Sequence, residues 1–178
     1  GGPHCLKYGN TTRHVLGLKI VLADGSLLDL SGPEADPDGL DLVGLFVGSE
    51  GMFGVATEVT VALTPAPERV ETLLALFHSL DDACDAVSDV IAERWEPSAL
   101  EIIDRLTIEA VEASVLAAGY PPGTEAVLLV EVDGSDVECE ANVAGIEAIA
   151  RAHGAFDLRR AEDDKARKKL WAGRKGAY

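Results

Sequence analysis

Apolar residues in this chain recur with two different periods, and the change of period marks out its elements. Val15 to Leu22 is a run of Val, Leu and Ile that reads as a strand. Asp24-Gly25 supplies a hairpin turn, and Ser26 to Leu30 the return strand. Ser31 to Gly39 is a loop of Pro, Asp and Gly, after which Asp41 can cap a short apolar helix running through Val47. Val55 to Leu63 is β-branched and largely alternating, a further strand. Thr64-Pro65-Ala66-Pro67-Glu68 then breaks the pattern with two prolines and divides the chain into residues 1–66 and 67–178.

Beyond the prolines, strand and helix patterns alternate. Val70 to Phe77, Pro97 to Ile103, Ala126 to Val132 and Ala155 to Arg160 read as strands. Between them, Asp81 or Asp82 caps a helix that presents Ala83, Val87, Val90 and Ile91 on one face. Arg105 to Ala118 is a second helix. Asp136 to His153 is a third, with Val137, Ala141, Ala144 and Ala148 in register. Glu162 to Lys175 is the last. The order is compatible with a parallel sheet, and equally with a split β-α-β layer of ferredoxin type if Pro97–Ile103 and Ala126–Val132 pair antiparallel.

Composition adds limits. With 47% hydrophobic residues in 178, the chain can bury a core. Its formal charge of −16, from 31 acidic and 15 basic residues, argues against a nucleic-acid or anionic-membrane surface. Cys5, Cys84 and Cys139 lack metal or disulfide spacing, which points to a reducing, cytoplasmic setting. No apolar run reaches membrane-spanning length. The chain starts Gly1-Gly2-Pro3 without Met and stops after a charged, helix-like run, so it is expected to be part of something longer.

One motif carries candidate chemistry. In Gly48-Ser49-Glu50-Gly51-Met52-Phe53-Gly54 the glycines recur at i, i+3 and i+6 and lead into a strand. This excludes the Walker A loop and the Rossmann turn, both of which open a helix. From the residues alone, the stretch is either a plain turn or a cradle of main-chain N–H groups for an anion.

Taken in order, Gly1-Gly2-Pro3-His4-Cys5-Leu6-Lys7-Tyr8-Gly9, Val15-Leu16-Gly17-Leu18, Asp24-Gly25 and Leu45-Phe46-Val47-Gly48-Ser49-Glu50-Gly51 resemble the FAD-linked oxidases, the vanillyl-alcohol-oxidase-like flavoproteins. Within them the chain is most similar to the glycolate oxidase and D-lactate dehydrogenase branch. The resemblance covers residues 1–66 well. It extends more weakly over residues 70–178 to Leu170-Trp171-Ala172-Gly173-Arg174-Lys175. It implies an α+β fold: residues 1–66 would be the C-terminal part of a flavin-binding domain, and 67–178 the first part of a ferredoxin-like cap. The family's upstream phosphate loop and downstream histidine and metal motif are absent from this sequence. Met52-Phe53 stands where the family usually has Thr-Leu.

The resemblance also implies roles. FAD would be held by Gly1, Gly2, Tyr8 and Gly9 on one side and by Gly51, Gly54 and the main chain of Val55 on the other. Arg174, three residues after Trp171, would bind the substrate carboxylate, for which a guanidinium fork is chemically suited. The residues alone equally allow Arg167, Lys168, Lys169, Arg174 and Lys175 to be a solvated basic face. Tyr178 would line the same pocket. His4, Cys5 and Glu50 lie near the implied flavin without an assigned catalytic role, and no metal site is expected. The implied activity is oxidation of a small 2-hydroxy acid, with hydride passing to the flavin and with companion flavin and iron–sulfur subunits. The alternative is a non-catalytic flavin-fold subunit or interaction module.

Overall fold

In the computed structural model the hairpin signalled by Asp24-Gly25 forms between β1 (Val15–Val21) and β2 (Leu27–Leu30), with Leu18 opposite Leu30 and Val21 opposite Leu27. The structure describes residues 2–31, 39–114 and 117–175; the side chains of residues 173 and 175 fall outside that description. Gly1, residues 32–38 and Tyr178 therefore lie outside the described residues. Asp24 Oδ1 accepts the Ser26 amide at 2.9 Å and the Ser26 hydroxyl at 2.6 Å, and Gly25 takes the positive φ (83°) that the turn needs.

The chain divides into two compact units, residues 1–2 with 9–66 and residues 3–8 with 67–178. In the first, β1 pairs antiparallel on its other side with β3 (Val55–Val61), giving the order β2-β1-β3. A five-residue helix, α1 (Leu42–Phe46), packs on the sheet, with Asp41 Oδ1 accepting the Gly44 amide at 2.6 Å. The core here is small: Leu18, Ile20, Leu30 and Val43. Alternation in β3 suggests one buried face, yet every residue from Val55 to Val61 is exposed, because β3 is an edge strand and the core lies over β1, β2 and α1.

The second unit is built on β4 (Arg69–Phe77), β5 (Ala99–Asp104), β6 (Ala126–Gly134) and β7 (Asp157–Arg160), in the order β5-β6-β4-β7. All three pairings are antiparallel. Two split β-α-β units interlock: β4 and β5 flank β6, and β6 and β7 flank β4. This is the ferredoxin-type alternative, not the parallel sheet, with helix α3 (Arg105–Glu112) added between β5 and β6.

Helices α2 (Leu80–Ala92) and α4 (Asp136–Ala152) cover one face of the sheet, and α5 (Asp164–Lys175) lies on the other with α3. Both faces are thus buried, which explains why β6 alternates in direction but not in polarity over Ala126–Val130. Ala126, Leu128, Val130 and Val132 point to α2 and α4; Val127 and Leu129 point to the α5 side.

Three helix readings need correction. The helix read as Arg105 to Ala118 ends at Glu112, whose Oε1 accepts the amides of Ala118, Gly119 and Tyr120 outside any helix. The cap of α2 is Ser79, whose hydroxyl accepts the Asp82 amide; Asp81 and Asp82 sit in the first turn, where their charge suits the helix N-terminus. On α4 the buried stripe is Cys139, Val143, Ile146, Ile149 and Ala150, whereas Val137 is 78% exposed. The bulkier side chains of the true stripe bury more apolar area than the alanines of the expected one. On α2, Ala83 and Val90 are buried as expected, but Ala86 takes the place of Ile91, which is 47% exposed.

Tyr120 is buried in the α5-side core, and among the described residues its hydroxyl has no hydrogen-bond partner. Tyr120→Phe is expected to raise stability by about 1 kcal/mol, since an orphaned buried hydroxyl costs roughly that or more. The check is a higher midpoint in urea with an unchanged m-value.

Candidate functional site

On the α5 side of the sheet, in phase with Val127 and Leu129, stand Glu131 and Asp133. The register puts Thr72 of β4 and Ala99 of β5 opposite Glu131, and Glu101 of β5 opposite Leu129. Strand geometry therefore gathers three carboxylates onto one face beside an apolar core. Two are buried: Glu131 is 4% exposed and Asp133 7%.

Helix α5 supplies their partners. Trp171 and Arg174, three residues apart, share a helix face. Trp171 Nε1 donates to Glu131 Oε2 at 2.7 Å, and Arg174 Nε donates to Glu101 Oε2 at 3.0 Å. Arg167, one turn before Trp171, brings Nη1 to 3.8 Å from Glu131 Oε2 and Nη2 to 3.2 Å from Asp164. The basic run is thus not one solvated face. Arg167 and Arg174 side chains are 29% and 26% exposed against the sheet, while Lys168 and Lys169 are exposed.

The segment Pro3–Tyr8 completes this site. It includes a single helical turn, Cys5–Tyr8. His4 Nε2 is 2.8 Å from Glu131 Oε1, and its ring lies 6.2 Å from that of Trp171. Lys7 Nζ and the Tyr8 hydroxyl donate to Asp133 Oδ1 at 2.7 and 2.8 Å. Burial, reinforced by the bond to Asp133, pushes the Tyr8 phenol up to about 12. Pro3, His4, Glu131, Arg167, Lys168, Trp171 and Arg174 line a cavity of about 390 Å³. It presents three cationic side chains and an indole, a surface fit for a small organic anion.

Gly51, Gly54 and Val55 lie on the loop that enters β3. Their glycines differ. A Cβ on Gly54 would stand 2.6 Å from the Val21 carbonyl oxygen, so the approach of β1 accounts for that glycine. Gly51 has φ 83° after Glu50 at 51°, and no atom lies within 4 Å of where its Cβ would be. Gly2 is likewise open. Main chain bare of side chains at Gly2 and Gly51 fits a group gripped through backbone amides, as a dinucleotide diphosphate is. Gly9 is less open, its Cβ position being 2.6 Å from Arg13 Cδ.

Of the residues singled out in the sequence, the structure brings Tyr8, His4 and Arg174 onto one unit and the Gly51–Val55 loop onto the other. Gly1 and Tyr178 lie outside the described residues. Cys5 and Glu50 gain no role in the cavity. Glu131, Asp133 and Glu101 are not singled out by the sequence, and Arg167 only as one of a basic run. The available signal was charges in phase with the buried positions of β5 and β6. Among the described residues no group of His, Cys, Asp or Glu is placed to hold a metal, and no helix is long and apolar enough to cross a membrane.

Residues 66–178 match the family described as FAD linked oxidases, C-terminal domain. Along its whole length the chain is 44% identical to glycolate oxidase subunit GlcD of Escherichia coli (strain K12), covering 36% of that protein. It is 40% identical to glycolate oxidase subunit GlcD of Bacillus subtilis (strain 168) over 99% of the chain and 38% of the relative. With the probable mitochondrial D-lactate dehydrogenase of Danio rerio the identity is 32%, over 99% of the chain and 36% of the relative. The chain therefore spans little more than a third of the curated relatives it matches. Among solved structures, an alkyldihydroxyacetonephosphate synthase superposes with a TM-score of 0.75 at 20% identity, over 99% of this chain and 34% of that one. A p-cresol methylhydroxylase does so with 0.63 at 13%, over 93% and 40%. These last two show a shared fold.

Proposed function

The chain belongs to the FAD-linked oxidases, and on that premise we propose that it is part of an FAD-dependent dehydrogenase of small 2-hydroxy acids, of glycolate or D-lactate type. The observation that carries this reading is the cavity in which Arg174 and Arg167 stand beside Trp171 on α5. Arg174 grips the substrate carboxylate; its bond to Glu101 fixes the direction of the guanidinium plane. Trp171, nine-tenths buried, keeps that side of the cavity apolar and limits water. Gly2, Gly9, Gly51, Gly54 and the main chain of Val55, all in the first unit, would hold FAD. FAD, when bound, would accept a hydride from the substrate's α-carbon while a general base takes the hydroxyl proton, leaving a 2-oxo acid. Electrons then leave through companion flavin and iron–sulfur subunits, in the cytoplasm.

The test is anaerobic mixing of the full-length protein with glycolate or D-lactate. The flavin absorbance is expected to bleach within the mixing experiment. A flavin that stays oxidised with every 2-hydroxy acid tried would instead support a non-catalytic flavin-fold subunit.

A further inference from the structure

Glu131 is the most heavily engaged buried charge among the described residues. Its Oε2 accepts from Trp171 Nε1 at 2.7 Å and from Thr72 Oγ1 at 3.0 Å, and its Oε1 is bonded to His4 Nε2 at 2.8 Å. These three partners come from the first residues of the chain, from β4 and from α5, sites separated by up to 167 positions in sequence. The backbone is held as firmly: both the amide and the hydroxyl of Ser98 donate to the Glu131 carbonyl, at 2.7 and 3.1 Å. A carboxylate that is almost out of water, fixed on a central strand and bonded to groups on two sides of a cavity, has one geometry open to it.

From this we infer that Glu131 is a positioning residue for the anion cavity. It anchors the indole of Trp171, and so sets the rotation of α5 and the reach of Arg174 and Arg167. It also holds His4, and with it the segment that follows the double glycine, against the same strand. Asp133, two residues on, repeats the device with Lys7 and Tyr8. Glu131 lines the cavity, and its part there is to hold Trp171, His4 and Arg167 in place rather than to bind the anion. The inference rests on the assignment of this cavity to the 2-hydroxy acid.

The test uses the full-length flavoprotein and oxalate, an unreactive carboxylate analogue, measured by titration calorimetry beside the KM and kcat for glycolate and D-lactate. Glu131→Leu is expected to weaken oxalate binding and raise KM about tenfold or more, with a smaller fall in kcat, because bonds to a buried charge are lost. Glu131→Gln is expected to recover all but about threefold. Its amide oxygen can accept from Trp171 and Thr72, and its NH₂ can donate to His4 in the tautomer that leaves Nε2 unprotonated. Thr72→Val keeps the shape of a buried residue outside the cavity and removes one donor, so it reads the same effect without a large change of fold. It is expected to weaken oxalate binding about threefold. Unchanged oxalate affinity in Thr72→Val, or a Gln variant as impaired as the Leu variant, overturns the inference. Arg174→Met separates the two levels. If it leaves oxalate binding intact, the cavity is not the substrate site; if it abolishes binding while the Glu131 and Thr72 variants bind oxalate as tightly as the unmodified protein, positioning by Glu131 alone is wrong.

Discussion

On the proposed function, Arg174→Met in the full-length protein is expected to raise KM for the 2-hydroxy acid, lower kcat and cut kcat/KM by about 10²–10³-fold. A guanidinium–carboxylate pair made through two charge-assisted hydrogen bonds contributes roughly 3–4 kcal/mol, and methionine keeps an unbranched apolar stem while supplying none of it. Because Arg174 sits three residues from Trp171 and its Nε is bonded to Glu101 at 3.0 Å, the guanidinium is directed before any substrate arrives. Arg174→Lys keeps the charge without the fork, so it should recover only part of the loss. Steady-state kinetics decide the point: a KM unchanged in both variants would take Arg174 out of the site.

Gly145→Ala is expected to destabilise the second unit by about 1–3 kcal/mol, the cost of forcing a methyl group against the half-buried indole of Trp95 at the edge of the core. Helix propensity points the other way, since alanine in mid-helix is worth about 1 kcal/mol over glycine. Packing decides the sign. A Cβ on Gly145 would stand 2.2 Å from Cζ2 of Trp95 and 2.4 Å from Cε2, well inside van der Waals contact. The indole cannot simply swing away, for its Nε1 donates to Glu93 at 3.1 Å and it packs against the core between α2, α4 and the sheet. Urea denaturation followed by Trp fluorescence measures the change. A stabilised Gly145→Ala would mean that Trp95 is free to move.

How much of this was legible in the chain depends on the range of each interaction. Alternating and continuous apolar runs placed β1 to β7 to within a few residues, because strand burial is a local pattern. Asp24-Gly25 and Asp41 acted through atoms two or three residues away and were equally plain. The buried stripe of α4 was not, since alanine is too small to report a face: Ala141, Ala144 and Ala148 made as good a row as Cys139, Val143 and Ile146. The choice between a parallel and a split antiparallel sheet turned on whether β6 enters between β4 and β5, which no local pattern encodes. At the site, the Trp171–Arg174 spacing could be read because it lies on one helix turn. Glu131 could not: an acid within Leu-Leu-Val-Glu-Val-Asp looks like a strand reaching solvent, and its partners lie at residues 4, 72 and 171.

Six residues near the start of the chain, Pro3 to Tyr8, belong to the second unit although the residues on either side of them belong to the first. Anyone dissecting the protein at Pro67 would therefore obtain a domain stripped of His4, Lys7 and Tyr8, with two acids of β6 facing a bare groove. Such a truncated domain would leave Asp133 without Lys7 and Tyr8, which bond it in the whole chain, and would melt early for reasons unrelated to its own core. Grafting those six residues back ahead of Pro67 through a flexible tether, rather than trimming at the proline boundary, is what separate production of this domain requires.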